Sequence, residues 1–130
     1  MKIAVTIVRS LVGALFIFAS VTFLFNLITP PEMTGNMKTF NEGLAASGYL
    51  MQLVKVTELI CGIALLSNRF VPMALVILSP IIINIFFVHL LLDQSGLPVG
   101  IFLTVANGFL GYSYRDSFSG LFKAKTNPAA

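Results

Sequence analysis

The stretch YLMQLVKVTELICGIALL, Tyr49 to Leu66, decides how many times this chain crosses a membrane. It is apolar except at Gln52, Lys55 and Glu58, and as a helix it comes close to the roughly 20 residues that span a hydrocarbon core. The segments around it are easier to read. No charge occurs from Ser10 to Pro31, from Phe70 to Val88, or from Gln94 to Tyr114. Counted as a span, Tyr49–Leu66 completes a set of four. Left out, it makes three spans and a buried half-helix, and Arg115, Lys123 and Lys125 change sides.

Composition supports the membrane reading. The 130 residues are 57% hydrophobic and 10% charged, against about 25% charged in an average soluble domain. That length is room for one domain. A β-barrel is excluded, because its spans would be about 10 residues with alternating polarity. A single cysteine, Cys61, gives no internal disulfide or CxxC pair, and a single histidine, His89, gives no multi-histidine metal or haem site. Tryptophan is absent and no aromatic-interleaved basic patch occurs, so nucleic acid is not an expected partner. The expected fold is all-α: an integral membrane four-helix bundle, a single domain over 1–122 with a flexible cytoplasmic tail, 123–130. Its spans are placed at about 3–29, 49–66, 71–91 and 99–114.

The first span is longer than the roughly 7–15 apolar residues of a signal-peptide core and reads as a retained helix. Pro30-Pro31 is its expected stop, since proline lacks the amide donor. Pro30 to Asn41 reads as an interfacial loop with a short helix near Met37–Ala46, and Gly43 and Gly48 permit a bend into the next span. Pro98 suits the first turn of the last helix. An N-terminus inside puts Lys2, Arg9, Arg69, Arg115, Lys123 and Lys125 on the cytoplasmic side and leaves Lys38 outside. Under the positive-inside rule both termini are therefore cytoplasmic.

Polar residues inside the spans are the candidate site. Gln52, Lys55 and Glu58 are spaced three apart, about 60° per step around a helix. A charge facing lipid would cost roughly 2.5–3.5 kcal/mol, so the three are expected to face the bundle interior or a wet cavity. Lys55 and Glu58 also suit an i,i+3 ion pair. Two readings stay open: a pair that fixes packing, and a ligand pocket or proton relay. On the third span, Asn84 lies one turn after Pro80 and His89 lies four residues before Asp93. Helical rise puts Glu58 and Asn84 at similar depth and Lys55 between Asn84 and His89, which permits one outward-opening cavity. Asn84 and His89 stand about 140° apart on a straight helix, so sharing it requires a bend at Pro80 or a broad pocket. Glu58, Lys55 and His89 are the catalytic candidates; Gln52, Asn84 and Tyr49 are the ligand-binding ones. Tyr49 also marks the outer interface and Tyr112 and Tyr114 the inner one. Asn26 and Asn107 serve helix contacts or interface solvation. Cys61 reads as a small buried hydrophobe and the spread glycines as packing positions. The phenylalanines are read as mostly lipid-facing.

Gly48-Tyr49-Leu50, Lys55-Val56-Thr57-Glu58 with Gly62 and Leu65-Leu66, Arg69-Phe70-Val71-Pro72, Pro80-Ile81-Ile82-Ile83-Asn84 with His89, and Tyr114-Arg115-Asp116-Ser117-Phe118 follow one another in an order that resembles the DoxX family of small four-helix membrane proteins. The resemblance runs from Lys2 to about Phe122. It implies a bacterial cytoplasmic (inner) membrane protein and points to Lys55, Glu58, Asn84 and His89. The family takes its name from a subunit type associated with thiosulfate:quinone oxidoreductase, and other relatives are linked with thiol-redox partners. The sequence itself identifies no cofactor; the resemblance leaves quinone as the candidate, with a redox-protein partner or a second copy of the chain in the bilayer. The missing cysteine pair departs from any internal thiol–disulfide shuttle. Two functions follow as expectations: a quinone- or lipid-binding subunit of a membrane redox system, or a non-enzymatic assembly partner or small-solute carrier.

Overall fold

The computed structural model describes residues 1–29 and 32–129. Five α-helices follow in order: α1 (Lys2–Leu24), α2 (Gly35–Ala46), α3 (Leu50–Ser67), α4 (Val71–Leu91) and α5 (Leu97–Ser113). Short 3-10 segments occupy Gln94–Gly96 and Arg115–Phe122. No strand occurs among the described residues. α1, α3, α4 and the α5 region are each long and apolar enough to cross a membrane, so Tyr49–Leu66 is a span of its own.

The first span ends sooner than expected. α1 stops at Leu24 rather than near Thr29, and Pro30-Pro31 lies outside the described residues. Asn26 is the cause: it takes the left-handed conformation at φ 53°. The Asn26 amide donates to the Phe23 carbonyl and the Leu27 amide to the Thr22 carbonyl, the paired bonds of a Schellman stop. Asn68 ends α3 the same way at φ 59°, with Asn68 donating to Leu65 and Arg69 to Ala64. Asparagine accepts this conformation because its short polar side chain bonds locally.

Between the first two spans lies α2, which has no buried residue. The chain turns from α2 into α3 at Gly48, whose φ of 81° favours glycine. The Ser47 hydroxyl accepts the Leu50 amide at 3.0 Å, satisfying one free donor at the start of α3. Gly43 stays helical and makes no bend. Pro98 sits in the first turn of α5, where its missing amide is no loss.

In the bundle α1 packs on α3 and α4 on α5, while α3–α4 and α1–α5 contacts close the ring. Val12, Phe16, Leu65, Leu78, Ile82, Leu103 and Leu110 fill the interior, so Phe16 is a core residue rather than a lipid-facing one. Cys61 is buried among them. The outward faces carry Ile3, Phe18, Ile60, Ile63, Met73, Ile83 and Val105, an apolar exterior suited to lipid. Beyond α5 the chain is not all loose tail: Phe118, within the 3-10 segment, packs against the core.

Candidate functional site

A cavity of about 390 Å³ opens between α2, the first half of α3 and the second half of α4, in the range of roughly 300–1,000 Å³ typical of ligand pockets. Each helix contributes one face. α2 presents Met37, Phe40, Asn41 and Leu44, at the i, i+3, i+4, i+7 spacing of one stripe. α4 presents Ile81, Asn84, Ile85, Val88 and His89. These five cover about 140° of the helix, with Asn84 and His89 at the two edges. A broad pocket, not a bend, is what joins them.

On α3 the lining runs Leu50, Met51, Val54, Lys55 and Glu58. Lys55 is at the edge of that face, and Gln52 lies a further 60° or so around the helix. Gln52 is exposed and outside the cavity, contrary to the expectation that all three polar residues turn inward. It lies only three residues from Tyr49, near the water interface, where an exposed amide costs little. Tyr49 is also exposed and does not line the cavity. The structure therefore brings together Lys55, Glu58, Asn84 and His89, and leaves Gln52 and Tyr49 aside.

Lys55 and Glu58 form an ion pair, Nζ to Oε2 at 3.2 Å, and both are largely shielded. The ammonium also stands over the Phe23 ring of α1, 5.8 Å from its centroid, a cation–π distance. Oε2 of Glu58 is buried, with the Lys55 ammonium as its charged neighbour. Ser20 of α1 stands beside the same carboxylate, but it donates its own proton to the Phe16 carbonyl at 2.6 Å.

His89 is held from two sides. Its Nδ1–H donates to the Asp93 carbonyl at 3.1 Å, which leaves Nε2 as the acceptor in the neutral ring. Gly96 lies directly under the ring: a Cβ there would stand 2.3 Å from Cε1. Outside the membrane, the Asp93 carboxylate accepts the Ser95 hydroxyl and amide. These bonds hold its pKa below the ordinary value.

Ser20, Phe23 and the α2 wall are missing from the sequence reading. Ser20 has a periodic signal, since Arg9, Val12, Gly13, Phe16 and Ser20 form the one buried face of α1. Among the described residues no three His, Cys, Asp or Glu side chains gather as a metal site would require.

Four membrane-capable helices, two of which wall an amphiphilic cavity together with α2, define a small multi-pass membrane protein. The family model for DoxX matches residues 4–90, and the chain belongs to that family. The match takes in α1 to α4, and with them every polar residue of the cavity. It ends short of α5, whereas the resemblance read from sequence extends to Phe122. No curated protein and no solved structure matches the chain.

Proposed function

We propose that the cavity holds the headgroup of a quinone, and that the chain is the quinone-binding subunit of a redox system in the bacterial cytoplasmic membrane, with both termini in the cytoplasm. One observation carries the reading. Lys55, Glu58, Asn84 and His89, from two helices, line a single cavity whose remaining lining is apolar except for Asn41 of α2. A quinone has that polarity: carbonyl oxygens on a ring that is otherwise greasy. The residues present fit it. Lys55 and the Asn84 amide are donors for a carbonyl, and the Glu58 carboxylate is an acceptor for the hydroxyl of the reduced form. When bound, a quinone supplies reversible electron and proton uptake.

The chain's own part is to orient the ring and hold protons. Asn84 and His89, at opposite edges of the α4 face, bracket the headgroup. Glu58 and the free Nε2 of His89 take and return protons, while α2 covers the cavity from the water side. A redox-protein partner supplies or removes the electrons. Six of the eight cations stand at the end of the bundle where α1 begins and α5 ends or follow it, which supports the cytoplasmic orientation of that end.

The test is mass spectrometry of gently purified protein, intact and after organic extraction, for wild type, Glu58→Gln and Asn84→Ala. Stoichiometric quinone in wild type and its loss from folded variants is expected. No quinone, and no shift on adding one, would overturn the proposal; a retained lipid would reassign the cavity to lipid.

The second reading, a non-enzymatic assembly partner or small-solute carrier, has one observation in its favour. Lys55 already has both Glu58 and the Phe23 ring as neighbours, so the cluster can serve packing alone. A stoichiometric co-purifying protein with no small molecule would favour it.

A further inference from the structure

A second cavity, also about 390 Å³, lies at the opposite end of the bundle, where α1 begins, α3 ends and α5 ends. Its polar lining is Lys2, Thr6, Arg9, Asn68, Ser113, Tyr114 and Arg115, and no carboxylate takes part. None of the three cations has an ion-pair partner among the described residues.

Membrane topology accounts for cations at this end, but not for the burial of Arg9, which is only 7% exposed two turns into α1. Nη1 of Arg9 donates to the Leu65 carbonyl and, at 3.3 Å, to that of Leu66. Those contacts fix the guanidinium against the last turn of α3. They use one nitrogen of the fork, and the others make no hydrogen bond among the described residues. The fork is the shape that takes a phosphate through two parallel bonds. Arg115 is positioned as well, with Nη1 on the Tyr112 carbonyl and its guanidinium 4.3 Å from the Tyr112 ring centroid. Converging cations without a counter-charge repel one another, and a bound anion relieves that repulsion. At the membrane surface, basic pockets between helices take lipid headgroups.

We propose that this cavity is a binding site for a phosphate group, with Arg9 as its fixed floor and Lys2 and Arg115 as its rim. Asn68 and Ser113 add neutral polar groups around it. The site is distinct from the cavity under α2 and does not depend on what that one binds.

Native mass spectrometry in detergent tests it, with phosphatidylglycerol, phosphatidylcholine and inorganic phosphate as separate probes. Wild type is expected to bind phosphatidylglycerol in preference to phosphatidylcholine. Lys2→Gln with Arg115→Gln spares the buried Arg9 contacts and should weaken binding about thirtyfold, at roughly 1 kcal/mol per cation. Lys123→Gln with Lys125→Gln removes two cations from the same region but outside the cavity, and should change little. Binding of inorganic phosphate that displaces phosphatidylglycerol makes free phosphate the source; phosphatidylglycerol binding that phosphate does not displace makes it the lipid. The proposal is overturned if wild type shows no preference and binds no phosphate, or if both double variants weaken binding equally.

Discussion

Gly13 and Gly62 lie backbone against backbone where α1 crosses α3: a Cβ on either would stand 2.9 Å from the other's carbonyl oxygen. The helices meet this closely only because neither has a side chain there. Glu58 is one turn before Gly62, so the same crossing sets the carboxylate against Ser20. Gly62→Ala should cost about 1–3 kcal/mol, the range for overpacking. Gly108 has nothing within 4 Å of such a Cβ, and Gly108→Ala should leave stability unchanged. Unfolding midpoints of the purified protein in detergent decide it; equal midpoints for both variants would mean the crossing relaxes freely.

Lys55 and Glu58 should behave as a unit. Removing one partner leaves the other charge largely out of water, a loss of about 3–5 kcal/mol for a buried pair. Lys55→Met combined with Glu58→Gln should therefore cost less than either change alone. A double-mutant cycle in detergent measures the coupling, and additive losses would show that the two charges do not depend on each other. The same stable double variant separates packing from binding: retained quinone would assign the pair to packing.

The number of spans was legible because charge-free runs of apolar residues have one economical solution in a bilayer. Helix ends were less so. Asn26 carries a stop that looks, in sequence, like one more polar residue within an apolar run, and the prolines that follow are louder. The cavity was half legible. Helical rise alone sets Glu58 level with Asn84, and the cost of burying charge turns Lys55 and Glu58 inward. Gln52 follows the same spacing but not the same fate, because each step of three turns about 60° and Lys55 already stands at the edge of the lining face. The α2 wall was out of reach, since its docking depends on how Gly48 redirects the chain. Arg9 counts in sequence as one more cytoplasmic charge; its burial follows from lying on the face of Val12, Gly13 and Phe16.

Asp93 gives the loop before α5 a dependence on acid. Its pKa is lowered from 3.8 by the side-chain hydrogen bond of Ser95 and then by the Ser95 amide. A lowered carboxylate stabilises the folded loop above its unfolded pKa, and that contribution is lost as pH falls through the folded value. The Ser95 amide resonance should therefore titrate with a midpoint below 3.8, the ordinary value. Asp93→Asn should abolish that titration. A wild-type midpoint at or above the ordinary value would mean that Ser95 does not stabilise the charged form.

Gly96 and His89 provide the most selective test of the cavity under α2. The imidazole fills the space that a Cβ at Gly96 would need, at 2.3 Å from Cε1 and 2.4 Å from Nδ1. A methyl group there must push the ring aside. The displacement breaks the Nδ1–H bond to the Asp93 carbonyl, which sets the tautomer and leaves Nε2 as acceptor. The three atoms nearest that Cβ all belong to the His89 ring. Gly96→Ala should shift the histidine resonances and weaken binding of the proposed quinone about tenfold, the loss of one oriented hydrogen bond. His89→Ala should weaken binding to a similar degree, and adding Gly96→Ala to it should bring no further loss. His89 is the chain's single histidine, so its ring signals need no assignment. Unchanged ring resonances in Gly96→Ala would show that the loop, not the ring, gives way. Moved resonances with unchanged binding would remove His89 from the site.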